Sequence, residues 1–377
     1  MSNTNKRSYA YVNLDNIVHN YKQIKKSLKK NTKFLGVVKA DAYGHGAIEV
    51  ASILQEQGAD YLAVACIDEA IELRKHSITL PILILGYTPV SYTKELIKYD
   101  LSQCISDYNT AKQYSVIATK LNKTLKCHLK VDTGMSRLGF ICAGNHFEDG
   151  IKEMIKTCEL DNLNFEGIFT HFAVSDENDQ ESKQYTSKQF TLFKNVINEL
   201  KKHKIVFEIK HCANTGATLR NKDMQLDMVR PGLLLYGYGD EDNKLKLKKC
   251  MSLCSRVNSI KEFDKGTDVS YGRHYTTKAK TKIAVLGIGY ADGLFRALSN
   301  KCSFYCKGNK VKQLGNICMD QCMVDITGCK DINIGDEVEI FGENNSLDEL
   351  SSIAKTIPYE LLCAVSKRVK RIYIENK

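Results

Sequence analysis

The sequence has no tryptophan and only 4 prolines in 377 residues, so little in it interrupts regular elements. It contains no apolar run approaching the ~18–20 residues of a membrane-spanning helix, which excludes that class. Its opening, MSNTNKRSYA, lacks the apolar core of a secretory signal, and a cytoplasmic protein is the expectation. No RNP, zinc-finger or helix-turn-helix signature is present, and no G-x-G-x-x-G opens the first strand–helix unit. At 43% hydrophobic and 26% charged residues, the composition rules out intrinsic disorder and collagen-like repeats.

Cysteine, by contrast, is abundant, with 14 residues that should be reduced thiols in a cytoplasmic setting. Cys250/Cys254, Cys302/Cys306 and Cys318/Cys322 share a C-x3-C spacing. Zinc sites want tighter pairs with histidine, whereas residues i and i+4 share one face of a strand. Paired burial therefore explains them, and no metal is expected. The net charge is +10, from 54 basic against 44 acidic residues. Its lysines (Lys25, Lys26, Lys29, Lys30; Lys244, Lys246, Lys248, Lys249) are scattered over helix faces and a linker, so neither nucleic acid nor membrane is an expected partner. The length suits two domains, or one barrel with an appendage.

From about residue 10 to 240, short apolar runs alternate with amphipathic stretches. Eight runs read as strands: Phe34–Val38, Tyr61–Ala65, Ile82–Leu85, Leu101–Ile105, Leu125–Val131, Phe165–Thr170, Val206–Ile209 and Leu226–Val229. Between them, Leu14–Leu28, Ala47–Gln57, Asp68–Lys75, Asp107–Leu121 and Lys183–Lys202 read as helices. Eight such repeats predict an α/β fold with an N-terminal (β/α)8 TIM-type barrel over residues 8–240. The segment GDEDNKLKLKK reads as a linker. Beyond it, Ile283–Gly287, Gln321–Ile326, Glu337–Phe341 and Val369–Ile374 predict a smaller β-rich domain over 241–377, with Leu347–Ala354 its only helix.

Barrel enzymes carry their chemistry at the carboxyl ends of the strands. The first strand ends at Lys39; the fifth holds Lys130 and leads to Arg137. The sixth ends at His171, the seventh meets His211, Asn214 and Thr215, and the eighth meets Arg230 and Gly232. Each has a bland explanation alone; their convergence does not. Lys39, flanked by Val37, Val38 and Ala40, is partly desolvated, which favours the neutral, nucleophilic amine suited to a Schiff base with a carbonyl group.

VVKADAYGHG resembles the pyridoxal-phosphate lysine motif of the alanine racemase family. KVDTGMSRLGF, GIFTHFAVSDE, HCANTGATLR, MVRPGLLLYG, VSYGRHY, IGYADG, GNICMDQ and PYELLC are similar to that family's motifs, in its order, through nearly the whole chain. The resemblance implies a pyridoxal 5'-phosphate-dependent, two-base interconversion of L- and D-alanine that supplies D-alanine for peptidoglycan. It also implies a homodimer, the C-terminal domain of each subunit contributing to the partner's active site.

By the same resemblance, Lys39 carries the cofactor and serves one face of the substrate, and Tyr271 serves the other face from the partner subunit. Tyr43, Asn214, Thr215, Gly232, Leu233 and Tyr359 contact the phosphate, and His171 packs beside the ring. Arg230 faces the pyridine nitrogen. A guanidinium donates a hydrogen bond but hardly gives up its proton, which limits transamination. Arg137 and the Met319 N–H bind the substrate carboxylate. Lys130, as an N6-carboxylysine, orients Arg137. His211 and Asp320 support the site, and Tyr290 and Tyr359 form an aromatic gate. Three features depart from the pattern: Asn316 stands where many relatives have Arg, Thr215 replaces the commoner Ser, and Arg273–His274 follows the Tyr-Gly of VSYGRHY. The rival readings are a serine racemase of the same fold and a non-catalytic pyridoxal-phosphate-binding homeostasis protein. Tyr359 argues against the first, residues 250–377 against the second.

Overall fold

In the computed structural model, residues 6–240 and 242–375 are described, and they form two units. One comprises Ile17–Ala42 and Ala47–Lys248. The other comprises the chain up to Asn16, Tyr43–Gly46 and the chain from Lys249 onward.

Runs such as FLGV, YLAV and ILI are apolar on both faces, as strands covered on both sides must be. In the first unit, Lys33–Val37, Tyr61–Val64, Ile82–Ile84, Leu101–Ile105, Leu125–Asp132, Leu163–Phe169 and Ile209–His211 pair in parallel, in chain order. Met228–Val229 pairs with Lys33 and Phe34. Asp227 N donates to Lys210 O (3.1 Å) and Arg230 N to Ala213 O (2.9 Å), which closes the ring into the eight-stranded barrel. Helices cover it, their starts fixed by side-chain caps. Asp107 accepts from Thr110 N ahead of Tyr108–Lys120, and Asp179 from Ser182 N ahead of Gln180–Lys202. That second cap starts the long helix three residues before the expected Lys183.

Two strands are displaced from their expected positions. Val206 is 68% exposed and Lys204 has φ 63°, so the chain is still turning there and pairing begins only at Ile209. Leu226 likewise has φ 45°, which delays the eighth strand to Met228.

The second unit is a mainly antiparallel sheet. Its order is Thr281–Leu286, Cys322–Asp325, Asn309–Leu314, Ser303–Cys306, Glu337–Phe341, Met251–Phe263, Ser8–Asn13, Lys370–Ile374, and Met251–Phe263 also pairs with Thr281–Leu286. Ser8–Asn13 thus sits in this sheet, antiparallel to Met251–Phe263 and parallel to Lys370–Ile374, although the barrel was expected to begin at residue 8. Leu347–Ala354 is not the only helix of this unit, because Pro358–Ala364 is a second one. Proline at its first turn costs no hydrogen bond.

Cys250, Cys254, Cys302, Cys306 and Cys322 are buried and Cys318 is half-buried. Among the lysines of the basic segments, Lys25 pairs with Asp60, Lys29 with Asp223, Lys244 with Asp242 and Lys249 with Asp348. Among the described residues, no helix is long and apolar enough to cross a membrane.

Candidate active site

The barrel unit gathers its cations and imidazoles at the carboxyl ends of the strands. Arg230, 4% exposed, donates through Nη1 to His211 Nδ1 (3.0 Å) and through Nη2 to Thr170 O (2.8 Å), His171 Nδ1 (3.2 Å) and Cys212 O (3.3 Å). Among the described residues no carboxylate pairs with it, so its charge is met by dipoles alone. Removing such a charge from water is costly, and burial lowers its pKa to about 10. It remains a cation at neutral pH.

A guanidinium only donates, and that fixes the protonation of its neighbours. His211 Nδ1 must accept, so a neutral His211 carries its proton on Nε2 and gives it to His128 Nδ1, 3.0 Å away. His128 then carries its proton on Nε2, an atom that finds no hydrogen-bond partner among the described residues. Burial first, then the nearby Arg230, lowers the pKa of all three imidazoles: His128 to about 3, His171 and His211 well below their usual value. For His171, Arg137, Lys130 and Lys39 add to the push. Phe169 stacks on His211 with centroids 4.8 Å apart, and both Lys130 Nζ (5.3 Å) and Arg230 Cζ (5.4 Å) lie over its ring. Lys130 is 4% exposed and its pKa is lowered, by burial foremost. The expected Lys39, Lys130, Arg137, His171, His211 and Arg230 are therefore brought to one place, Arg137 on its exposed side.

His128 was not expected. The signal was available: it stands two residues before Lys130, on the same face of the strand Leu125–Asp132. Opposite, Gly167 leaves room for it, since a Cβ there would lie 2.3 Å from His128 Nδ1.

Lys39 opens an unusual turn. Ala40, Asp41, Ala42 and Tyr43 all have φ of 52–53°, a left-handed helical turn built without glycine. Each such residue costs ~1–2 kcal/mol. Glu69 helps hold it, accepting Ala40 N on one carboxylate oxygen and Ala65 N on the other, both at 2.7 Å. Asp41 Oδ1 accepts Ala47 N at 2.8 Å. Strain of this kind accumulates at functional sites.

At the last two strands, two short helices begin side by side. Asn214 caps Thr215–Arg220, accepting from Ala217 N (3.2 Å) and Ser175 Oγ (2.6 Å). Thr215 Oγ1 accepts Leu233 N at 3.2 Å, tying that turn to the start of Gly232–Leu235. Gly216 allows the loop before it to approach, because a Cβ would lie 2.4 Å from Ser175 O.

The second unit carries three groups of expected residues. Tyr43, buried, and Tyr359, half-buried, have ring centroids 5.7 Å apart. Burial raises the pKa of Tyr43, so it stays a neutral hydroxyl. Tyr271 (74% exposed), Met319 (53%) and Tyr290 (44%) face outward. Gly289 N donates to Asp292 Oδ2 (2.9 Å), and a Cβ on Gly289 would meet Cys318 O and Met319 O at 2.3 and 2.4 Å. Asp320 is gripped by Arg368 (2.7 Å), which shares the buried Asp292 with Arg7 (2.8 Å each). Asp292 lies inside IGYADG yet was not singled out. A carboxylate between glycines reads as turn chemistry until its two arginines, 76 and 285 residues away, are seen.

The family model described as alanine racemase, N-terminal domain, matches residues 12–240, and that described as alanine racemase, C-terminal domain, matches residues 250–373. Alanine racemase 1 of Clostridium acetobutylicum is 44% identical over 98% of this chain and 95% of its own length. Among solved structures, the alanine racemase of Clostridium difficile 630 in complex with cycloserine is similar at a TM-score of 0.90, with 40% identity over 99% of this chain and 97% of its own. The alanine racemase of Bartonella henselae with covalently bound pyridoxal phosphate is similar at 0.87, with 30% identity over 98% of this chain and all of its own.

Proposed function

The chain belongs to the alanine racemase family, and from that premise we propose that it interconverts L- and D-alanine with pyridoxal 5'-phosphate as cofactor. The observation that carries the reading is the buried Arg230 guanidinium, held by neutral imidazoles instead of a carboxylate, at the strand ends where Lys39 also lies. Lys39 opens a strained turn there.

The donor set fits that cofactor. Neutral donors on the barrel unit suit its phosphate: the Thr215 hydroxyl and the first-turn N–H groups of Gly232–Leu235. Arg230 offers N–H to a ring nitrogen, and His171, oriented through its Nδ1, offers a flat surface. Pyridoxal phosphate, when bound, acts as an electron sink that acidifies the α-hydrogen of an attached amino acid.

Everything else falls to the chain's own groups. Lys39 Nζ would hold the cofactor covalently and, once the incoming substrate amine had released it, would move the α-proton on one face of the substrate, while Tyr271 Oη, from the partner subunit of a homodimer, would move it on the other. The linked Arg230 and His211 would support Tyr271 in that role. Arg137 and the Met319 N–H receive the substrate carboxylate, with Met319 kept in place by Asp320 and Arg368. Tyr290 and Tyr359 restrict the entrance to a small side chain. Burial foremost lowers the pKa of Lys130, which favours addition of carbon dioxide to its amine with release of a proton, and the resulting anionic carbamate would orient Arg137. The product serves peptidoglycan assembly in the cytoplasm.

The test is a chiral assay on alanine and serine together with release of α-deuterium to solvent. Racemisation of alanine with washout from both enantiomers supports the reading. Preference for serine moves the chain to the rival racemase, and washout from neither amino acid refutes catalysis.

A further inference from the structure

We propose that Asn316 is a positioning residue for Tyr271, its side-chain amide pinning the Tyr271 carbonyl and thereby fixing where the phenol stands. The inference rests on the reading of Tyr271 as a proton-moving group and extends it to Asn316.

A backbone carbonyl only accepts, so the Asn316 atom 2.7 Å from Tyr271 O must be Nδ2. The second hydrogen of that amide points to His274 Nδ1, 3.2 Å away, which accepts it. Asn316 is itself fixed from below: Ser270 Oγ donates to Asn316 O at 2.6 Å. Ser270 thus holds, and Tyr271 and His274 are held by, one asparagine that is only 6% exposed.

The segment needs such an anchor. Ser270 has φ 70° and ψ 179°, a region essentially reserved for glycine. Gly272 (φ 74°) and Arg273 (φ 54°) are left-handed as well. Gly315, beside Asn316, lets the strands close on this turn, because a Cβ there would lie 2.6 Å from Val269 O. The phenol itself is 74% exposed in this unit and gains little from packing. Its direction is therefore set through its backbone, and the Asn316 amide is the side-chain bond made directly to that backbone.

Asn316→Asp keeps the shape and removes the donor, and Ser270→Ala loosens the same anchor from the other side. Hydrogen-exchange mass spectrometry on the full chain without cofactor reads the segment 269–275, where Val269 N and Arg273 N are protected by bonds to Tyr275 O and Ser270 O. Loss of one well-formed bond corresponds to about tenfold faster exchange there for Asn316→Asp, with a smaller change of the same kind for Ser270→Ala. In the loaded enzyme, kcat for Asn316→Asp falls about tenfold at unchanged KM. α-Deuterium washout falls only from the enantiomer served by Tyr271, and that served by Lys39 keeps its rate. Exchange in 269–275 unchanged in both variants overturns the proposal, as does an equal fall in both washout rates. If the wild-type protein shows neither racemisation nor washout, the racemase reading fails instead, and the exchange data still decide whether Asn316 holds Tyr271.

Discussion

The two units present their chemistry in opposite ways. In the barrel, the buried Arg230, His211 and His128 and the half-buried His171 form one network in which each bond dictates the protonation of the next. In the second unit, Tyr271, Met319 and Tyr290 are exposed and are placed by backbone turns with left-handed residues and by glycines that permit close approach. Groups that must tune a bound cofactor benefit from low dielectric and rigid partners. A group proposed to complete a partner's site has to remain outside its own core, so its position must come from the backbone. The difference teaches that stability and activity are coupled in the barrel and separable in the second unit.

That separation is sharpest for the two proposed proton-moving groups. Lys39→Ala should lower racemisation by at least ~10³-fold, since covalent catalysis and a proton carrier are lost together. It should also abolish α-deuterium washout from the enantiomer that lysine serves. Tyr271→Phe should cost ~10²–10⁴-fold, as expected for one general acid–base group, yet leave washout from the other enantiomer intact. Because the phenol is exposed, its denaturation midpoint should match the wild type. Washout lost equally from both enantiomers in Tyr271→Phe would erase the distinction between the faces.

How far the sequence foretells this contrast depends on the range of the interactions. Six of the eight barrel strands stand where their apolar runs do, because burial on both faces leaves a local mark, while turns at Lys204 and Leu226 shift the last two, and Lys39, His171, His211 and Arg230 stand at or just beyond the ends of such runs. The barrel was legible. Much of the second unit was not. Met251–Phe263 is a 13-residue strand whose outer half, NSIKEF, is mostly solvent-facing and so carries little apolar signal. Ser8–Asn13 belongs to that sheet through partners 239 or more residues away, which no local pattern encodes. The same holds in the site. Asp292 gains its meaning from Arg7 and Arg368, His128 from His211, and the left-handed run Ala40–Tyr43 contains none of the glycines that normally announce such a turn.

The next effect is on stability. His211→Ala removes the acceptor for Arg230 and the donor to His128, leaving buried polar groups unsatisfied at ~1–3 kcal/mol each, and opens a cavity beside Phe169. A loss of about 3 kcal/mol in chemical denaturation is expected. Tyr290→Ala, at an exposed site, should change stability by under ~0.5 kcal/mol. Comparable losses in the two variants would break the contrast between the units.

The smallest effect is the share of a pH dependence that one barrel imidazole, His211, carries. His128, His171 and His211 have folded-state pKa values pushed down by burial and by Arg230, to about 3 for His128. Unfolded, each titrates near 6.5. Below that value the unfolded chain binds protons that the folded barrel refuses, so stability is complete above about pH 6.5 and falls as the pH drops toward the folded values. The slope is at most ~1.4 kcal/mol per pH unit for each imidazole. Denaturation at pH 7 and pH 5 should therefore show a less stable protein at the lower pH. His211→Ala should reduce that slope by removing one of the three imidazoles. Equal slopes in the variant and the wild type would mean that His211 binds protons as readily in the folded barrel as in the open chain, and the tautomer chain drawn from Arg230 would be wrong.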